Sequence, residues 1–289
     1  MAASQTSSAS KTRRHIVGMK TAVIVTTYNR HEALAAVLEG YCGQSDQAFD
    51  LIVADDGSGA ETAEVVRHFA RRAQFSIMHV WQEDRGFRAA EVRNRAVAST
   101  RAEYVIFTDG DCVPSRHFVW AHKHLAEPGY FLGANRVLLS AELTNRVVRE
   151  RVPIHAWSEI EWVRCWWRRE VNRVLPLMQL PDGRFRKWSP DRWSGIKTCN
   201  LSVWRTDLAR VNGLDASYEG WGLEDSDLVI RLLHAGVKHK SARFAATVFH
   251  LWHPEQDRTS LPVNQERLQN LLRSNTVRAT IGLDELGKI

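Results

Sequence analysis

A chain of 289 residues with 44% hydrophobic content is long enough to bury a substantial core and to fold on its own. Its 39 basic and 33 acidic residues leave a net charge of +6, which favours anionic partners such as nucleotide phosphates, acidic glycans, lipid headgroups or nucleic acid without choosing among them. Cys42, Cys112, Cys165 and Cys199 lack C-x-x-C spacing and sit in apolar segments, which argues for free thiols in a reducing cytosol over disulfides or a zinc site.

No apolar run approaches the roughly 20 residues needed to cross a bilayer. Residues 1–19 lack the apolar stretch of a secretory signal and read as a disordered tail, so any membrane contact would be peripheral. The expected location is the cytoplasm, with contact at the inner face of the membrane left open.

In chain order, "TAVIVTTYNR" (21–30) reads as a strand entering a loop, followed by a helix marked by Leu34, Val37, Leu38 and Tyr41. "FDLIVADDGSG" (49–59) and a helix near 60–73 repeat the design, as do "SIMHVWQ" (76–82), a helix over about 88–99, and "EYVIFTD" (103–109). Strands separated by helices of this length predict an α/β fold, a mostly parallel sheet with helices on both faces. After "YFLGANRVLLS" (130–140) the stretch 141–193 reads as mostly helical and rich in tryptophan and arginine. A strand at "KTCNLSVWR" (197–205), a helix within "GLEDSDLVIRLLHAG" (222–236), a strand at "AATVFHLWHP" (245–254) and a polar helix near 264–274 complete the pattern.

In such sheets ligands bind beyond the carboxyl ends of the strands. Here those ends carry Thr27, Tyr28 and Asn29, then Asp55 and Asp56, then Asp109 and Asp111. In a locally extended backbone Asp109 and Asp111 leave on one face, where two carboxylates repel unless an oxygen-seeking cation such as Mg²⁺ or Mn²⁺ lies between them. "EGWGLEDSDL" places an indole between glycines just before a cluster of acids. A helix dipole alone accounts for Asp227, but not for the glycine–tryptophan–glycine step.

Taken together, "VIVTTYNR", "LIVADDGSG", "EDRGFRAAEVRNRAVAST" and "VIFTDGDCVPS" resemble the nucleotide-sugar half of family 2 glycosyltransferases of GT-A fold. "CNLSVWRTDLARVNGLDASYEGWGLEDSDLVIRLLHAG" is similar to the acceptor half of members related to galactosyltransferases and chondroitin polymerases. The resemblance covers roughly residues 20–254 and divides the chain into a nucleotide-sugar half (20–140), a helical insertion (141–193), an acceptor half (194–256) and a C-terminal helical extension (257–289).

This resemblance implies a uridine pocket lined by Thr27, Tyr28, Arg30 and Asp55, with Asp56 capping the turn. Gly86, Arg88, Arg93 and Asn94 are expected near the nucleotide and its diphosphate, and Asp109 near the ribose and metal. Asp111 is the expected metal ligand together with His250, for which His253 is a near competitor; the implied cofactor is Mn²⁺ or Mg²⁺. Asp225 takes the part of general base, Glu224 holds an acceptor hydroxyl, and Trp221 forms a platform for a sugar face. One departure is that Glu224, Asp225, Ser226 and Asp227 stand where relatives often carry a glutamate and three aspartates, which bears on donor and acceptor choice.

The implied reaction is an inverting, metal-dependent transfer from a UDP-sugar to a cell-surface saccharide or glycolipid, of lipopolysaccharide core, O-antigen or capsule type, with no nucleic-acid partner. Two alternatives are a nucleotidyltransferase acting on a sugar phosphate and a basic membrane- or nucleic-acid-binding module. The indoles Trp157, Trp162, Trp166, Trp167, Trp188 and Trp193, among Arg164, Arg168, Arg169, Arg173, Arg184, Arg186 and Arg192, read either as a lid packed on the sheet or as a seat for an acidic glycolipid at a membrane surface.

Overall fold

Strand β1 (Thr21–Thr27) sends Ala22 and Ile24 into one hydrophobic layer and Val23 and Val25 into another. In the same way β4 (Tyr104–Asp109) splits Val105 and Phe107 from Tyr104 and Ile106. Successive strand residues point to opposite faces, so a strand apolar at every position needs cover on both sides. The computed structural model, which describes residues 18–255 and 257–286, supplies that cover.

Beside β1 and β4 lie β2 (Asp50–Asp55), β3 (Ile77–Trp81), β6 (Tyr130–Gly133), β8 (Asn200–Trp204) and β9 (Lys238–Ser241). They form one sheet in the order β3-β2-β1-β4-β8-β6-β9. The first four strands are parallel, with Thr27 beside Asp55 and Thr26 beside Asp109, so the polar strand ends meet at one edge. Only β8 is reversed, since it runs antiparallel to both β4 and β6 while β9 is parallel to β6. A second sheet combines β5 (Cys112–Pro114), β7 (Arg136–Leu138) and β10 (Val248–His250), with β10 in the middle.

One face of the main sheet is covered by α1 (His31–Cys42), α2 (Ala60–Ala70), α4 (Phe118–Leu125), α5 (Ala141–Arg149) and α6 (Glu159–Trp167). The other is covered by α3 (Ala89–Ala98), α7 (Arg205–Arg210) and α8 (Glu224–His234). Helix α9 (Leu261–Leu272) packs Leu268 and Leu271 on Ile230 of α8. The strand and helix expectations of the first 109 residues hold to within a few residues at each end. The tail expected over 1–19 lies outside the described residues apart from Gly18 and Met19, as do residues 287–289 of the expected extension.

"YFLGANRVLLS" forms two strands, β6 and β7, belonging to different sheets. Two expectations are corrected. Residues 245–254 pair only over β10, because they serve the three-stranded sheet. The stretch 141–193 is helical only in α5, α6 and short 3₁₀ turns at Ile154–Ala156, Leu175–Leu177 and Arg184–Lys187. Prolines at 153, 176, 181 and 190 and Gly183 interrupt the helical pattern.

Within this segment Trp162 stacks on Phe249, with ring centroids 4.0 Å apart at 10°, as a lid residue would. Trp167 and Trp188 are 77% and 81% exposed. Arg186 is 1% exposed and donates to the carbonyls of Leu180, Pro181, Ser241 and Arg243, so it organises the loop and is not available to a phosphate. Arg186→Met keeps the aliphatic stem but leaves four backbone carbonyls without their donor. It is expected to lower stability by about 1–3 kcal/mol, read from urea unfolding.

Candidate active site

The D-G-D step is a turn: β4 ends at Asp109, and Gly110 and Asp111 reverse the chain into β5. A Cβ on Gly110 would lie 2.8 Å from Thr27 Oγ1 and 3.2 Å from the Thr26 carbonyl, so only glycine lets this turn press against the end of β1. The expectation of an extended backbone with both carboxylates on one strand face is therefore replaced by two carboxylates on a turn with different neighbours.

Asp111 faces His250 and His253, whose Nε2 atoms lie 3.7 and 3.5 Å from its oxygens. The three side chains can offer ligand atoms all within 4.8 Å of one another. His250 and His253 are thus joint candidates for one metal site. The small sheet builds it: His250 pairs with Cys112, one residue beyond Asp111, and the Leu251 amide donates to the Asp111 carbonyl at 2.8 Å. Burial lowers the His250 pKa, which keeps the imidazole in the neutral form that ligates metal. Arg30, expected in the uridine pocket, instead donates to Asp111 at 2.8 Å and to the Trp252 carbonyl at 3.2 Å.

Asp109 turns toward Arg93, and this arginine departs furthest from expectation. Arg93 is 4% exposed and donates to Thr26 Oγ1 at 2.9 Å, Glu224 Oε1 at 3.0 Å and Asp109 Oδ1 at 3.0 Å. It is a buried clamp between the two halves of the chain, with its donors spent on protein. Burial works against its charge, but Asp109, Glu224 and Asp225 outweigh burial and hold its pKa above the ordinary value. One guanidinium does not neutralise three carboxylates. Burial, with repulsion from Asp111 and Asp225, raises Asp109 to about 6, against the opposing pull of Arg93. Burial and Asp225 likewise raise Glu224 to about 7.

Asp225 opens helix α8, accepts a hydrogen bond from Thr198 Oγ1 at 2.8 Å, and has Lys197 Nζ 3.7 Å away. Thr198 and Lys197 lay inside a segment whose only sequence signal was a strand. Gly222 at φ 107° and Leu223 at φ 79° bend the chain sharply into α8, which is why the indole of Trp221 is followed at once by inward-facing carboxylates. Trp221 is half-buried, with the Arg258 guanidinium 5.1 Å from its ring centre. Asp227 pairs with Arg231 one turn along α8, as a structural acid does.

On the expected nucleotide side, Thr27 is buried with no partner for Oγ1, and Tyr28 is exposed with its hydroxyl donating to Asp84 at 2.9 Å. Asp55, and not Asp56 as expected, caps the turn. Asp55 accepts from the Ser58 amide and faces His79 Nε2 at 2.8 Å, capping the turn, while Asp56 accepts from Gln82 and from the Arg88 amide at the start of α3. Arg88 spends its side chain on Glu91 and the Glu83 carbonyl. Asn94 is buried against the backbone of Leu214, a structural post. Gly86 is exposed, with its amide on Asp84. A cavity of about 780 Å³ against α1, α2 and α5 shares no residue with this cluster.

The profile of "Glycosyl transferase family 2" matches residues 22–170, and that of the "N-terminal domain of galactosyltransferase" matches residues 184–254. Validoxylamine A glucosyltransferase of Streptomyces hygroscopicus subsp. limoneus is 29% identical over 74% of this chain and 48% of its own length. Chondroitin synthase of Escherichia coli is 24% identical over 81% of this chain and 35% of its own. The uncharacterised glycosyltransferase YfnE of Bacillus subtilis is 34% identical over 82% of this chain and 66% of its own. The chain thus spans about half or less of the validoxylamine A and chondroitin enzymes.

Among solved structures, the mannosyltransferase PcManGT from Pyrobaculum calidifontis, in complex with GDP-Man and Mn²⁺, has a TM-score of 0.59 at 18% identity, covering 89% of this chain and 65% of that one. Staphylococcus aureus TarS 1-349 in complex with UDP has a TM-score of 0.57 at 14% identity, covering 92% and 68%. At these identities the likeness shows the shared fold alone.

The raised Glu224 carboxyl has a consequence for stability. An acid whose pKa is higher folded than unfolded contributes stability that is fully present below the unfolded value of 4.5 and lost as pH rises through about 7. Without added metal, the melting temperature is expected to fall over this window, and more shallowly in Glu224→Gln. A slope unchanged by that substitution would contradict the assignment.

Proposed function

The chain belongs to glycosyltransferase family 2, and on that premise we propose that it is an inverting, divalent-metal-dependent enzyme moving a sugar from a UDP-sugar to a hydroxyl of a cell-surface saccharide, of lipopolysaccharide core, O-antigen or capsule type. The observation that carries this reading is the convergence on Arg93 of Asp109, from the metal-side turn, and Glu224, the neighbour of the candidate base. The GDP-Man and Mn²⁺ of the Pyrobaculum enzyme and the UDP of TarS support a nucleotide-linked donor and a metal.

One carboxylate and two imidazoles make a mixed oxygen and nitrogen set, which suits Mn²⁺ better than an oxygen-demanding Mg²⁺. Asp111, His250 and His253 would hold the ion. Such a cation would stabilise the charge that develops on the departing diphosphate. Arg30, already at Asp111, adds a rigid donor fork suited to phosphate oxygens. Thr27 Oγ1, buried without a partner, offers a hydrogen-bonding group at the end of β1.

In the acceptor half Asp225 takes the proton of the attacking hydroxyl at a carboxylate oxygen. Thr198 and Lys197 hold that carboxylate in place. Glu224 has Oε1 committed to Arg93 and so presents Oε2 to an acceptor hydroxyl. Trp221 supplies an apolar platform for a sugar face. Breaking the anomeric bond in one displacement from the opposite side inverts configuration and requires no covalent enzyme intermediate.

No helix among the described residues is long and apolar enough to cross a membrane. The exposed indoles of Trp166, Trp167 and Trp188 support peripheral contact of a cytoplasmic enzyme with a membrane that carries its acceptor.

Scanning fluorimetry tests the donor side: UDP should raise the melting temperature in the presence of Mn²⁺ and not in EDTA, and Asp111→Asn should abolish the difference. Equal stabilisation of parent and variant by UDP–Mn²⁺ would remove Asp111 as ligand. For the base, Asp225→Asn should leave UDP–Mn²⁺ affinity nearly intact while slowing UDP release from donor plus lysate glycans by roughly 10²-fold or more; parental activity would remove Asp225 from that role.

A further inference from the structure

A cavity of about 270 Å³ lies on the acceptor side, between β6, β7 and the loop that precedes β8. Arg136, Arg173, Arg192, Lys197 and Arg243 line it together with His239, and no carboxylate does. Among the described residues, Arg136, Arg173, Arg192 and Arg243 form no ion pair with any acid, although the molecule pairs many of its other arginines. At Arg243 burial first, then the charges of Arg192 and Arg173, lower the pKa, whereas at Arg136 burial is outweighed by Cys199, Cys112 and Asp109, which raise it. His239 is 4% exposed, and burial followed by the charges of Arg192 and Arg243 lowers its pKa too. Cations gathered around a concave, acid-free wall cost free energy until an anion joins them.

Lys197 fixes where this wall stands relative to the chemistry. It lines the cavity, and its Nζ lies 3.7 Å from Asp225 Oδ2. A molecule whose charged group occupies the cavity therefore places its neutral portion beside the candidate base. Asn135 Oδ1, on a lining residue, is buried with no hydrogen-bond partner and offers an acceptor to a hydroxyl. An anionic wall-filler that also carries hydroxyl groups answers both features. Arginine forks match the oxygens of phosphate and carboxylate alike.

We propose that this cavity is an acceptor subsite that recognises an anionic substituent, phosphate or carboxylate, on the saccharide whose hydroxyl Asp225 deprotonates. The inference rests on the acceptor-side reading of Asp225 above and adds the charge of the substrate to it.

Calorimetric titration in the presence of UDP and Mn²⁺ tests the subsite with three probes: glucose 6-phosphate, glucuronate and glucose. The charged sugars should bind the parent protein about tenfold or more tightly than glucose, and the stronger of the two identifies phosphate or carboxylate as the preferred group. Arg173→Gln, Arg192→Gln and Arg243→Gln combined, all at exposed side chains, should remove that preference while UDP–Mn²⁺ affinity stays within about twofold. Equal binding of charged and neutral sugars by the parent would overturn the proposal. So would a triple variant that loses UDP–Mn²⁺ affinity as strongly as sugar phosphate, since the cavity would then serve the donor diphosphate. Failure of the parent to bind UDP–Mn²⁺ at all would instead strike at the donor reading.

Discussion

The arrangement of the site depends on one buried guanidinium. Arg93 projects from α3 and joins the end of β1 through Thr26, the end of β4 through Asp109 and the start of α8 through Glu224. These elements come from residues 21–27, 104–109 and 224–234, so the clamp ties the first strands of the chain to a helix that follows more than a hundred residues later. A lone buried arginine would be prohibitively costly, and lone buried carboxylates nearly so; together they satisfy one another but leave an excess of acid. Burial first, and that excess with it, raises the pKa values of Asp109 and Glu224. A site short of positive charge, with Asp111, His250 and His253 at its rim, is chemically prepared for a divalent cation.

The two sheets divide the work. The central strands β1, β2 and β4 send apolar side chains to both faces, and it is their carboxyl ends that carry the polar groups of the site. The three-stranded sheet adds Cys112, Val113, Val137, Val248 and Phe249 to one core layer and brings distant stretches together, setting His250 beside Cys112 and so beside Asp111. The loop before β8 then contributes Thr198 and Lys197 to Asp225, and Arg186, wrapped in carbonyls, holds the neighbouring irregular segment in one shape.

Much of this was legible in the sequence because the first four strands are continuous apolar runs, each ended by a polar cluster, and period and punctuation agree there. The D-G-D step, the bend at "EGWGLED" and the late histidines carried the resemblance to the family, and the structure brings Asp109, Glu224 and Asp225 into one electrostatic neighbourhood. What escaped was partnership. Nothing in "RNRAVA" distinguishes an arginine that touches a phosphate from one that bridges two acids, because one of those acids, Glu224, lies 131 positions away. The turn cap fell to Asp55 and not to Asp56 because alternation puts adjacent side chains on opposite faces, and a shift of one residue decides which reaches the Ser58 amide. The tryptophan and arginine stretch misled as to secondary structure because composition suggested a helix where prolines had already broken it.

A single displacement at the anomeric carbon is read from proton magnetic resonance of the sugar that the protein releases from an α-linked UDP-sugar when water replaces the acceptor hydroxyl, recorded before mutarotation. The β-anomer should accumulate first; initial release of the α-anomer would rule out inversion.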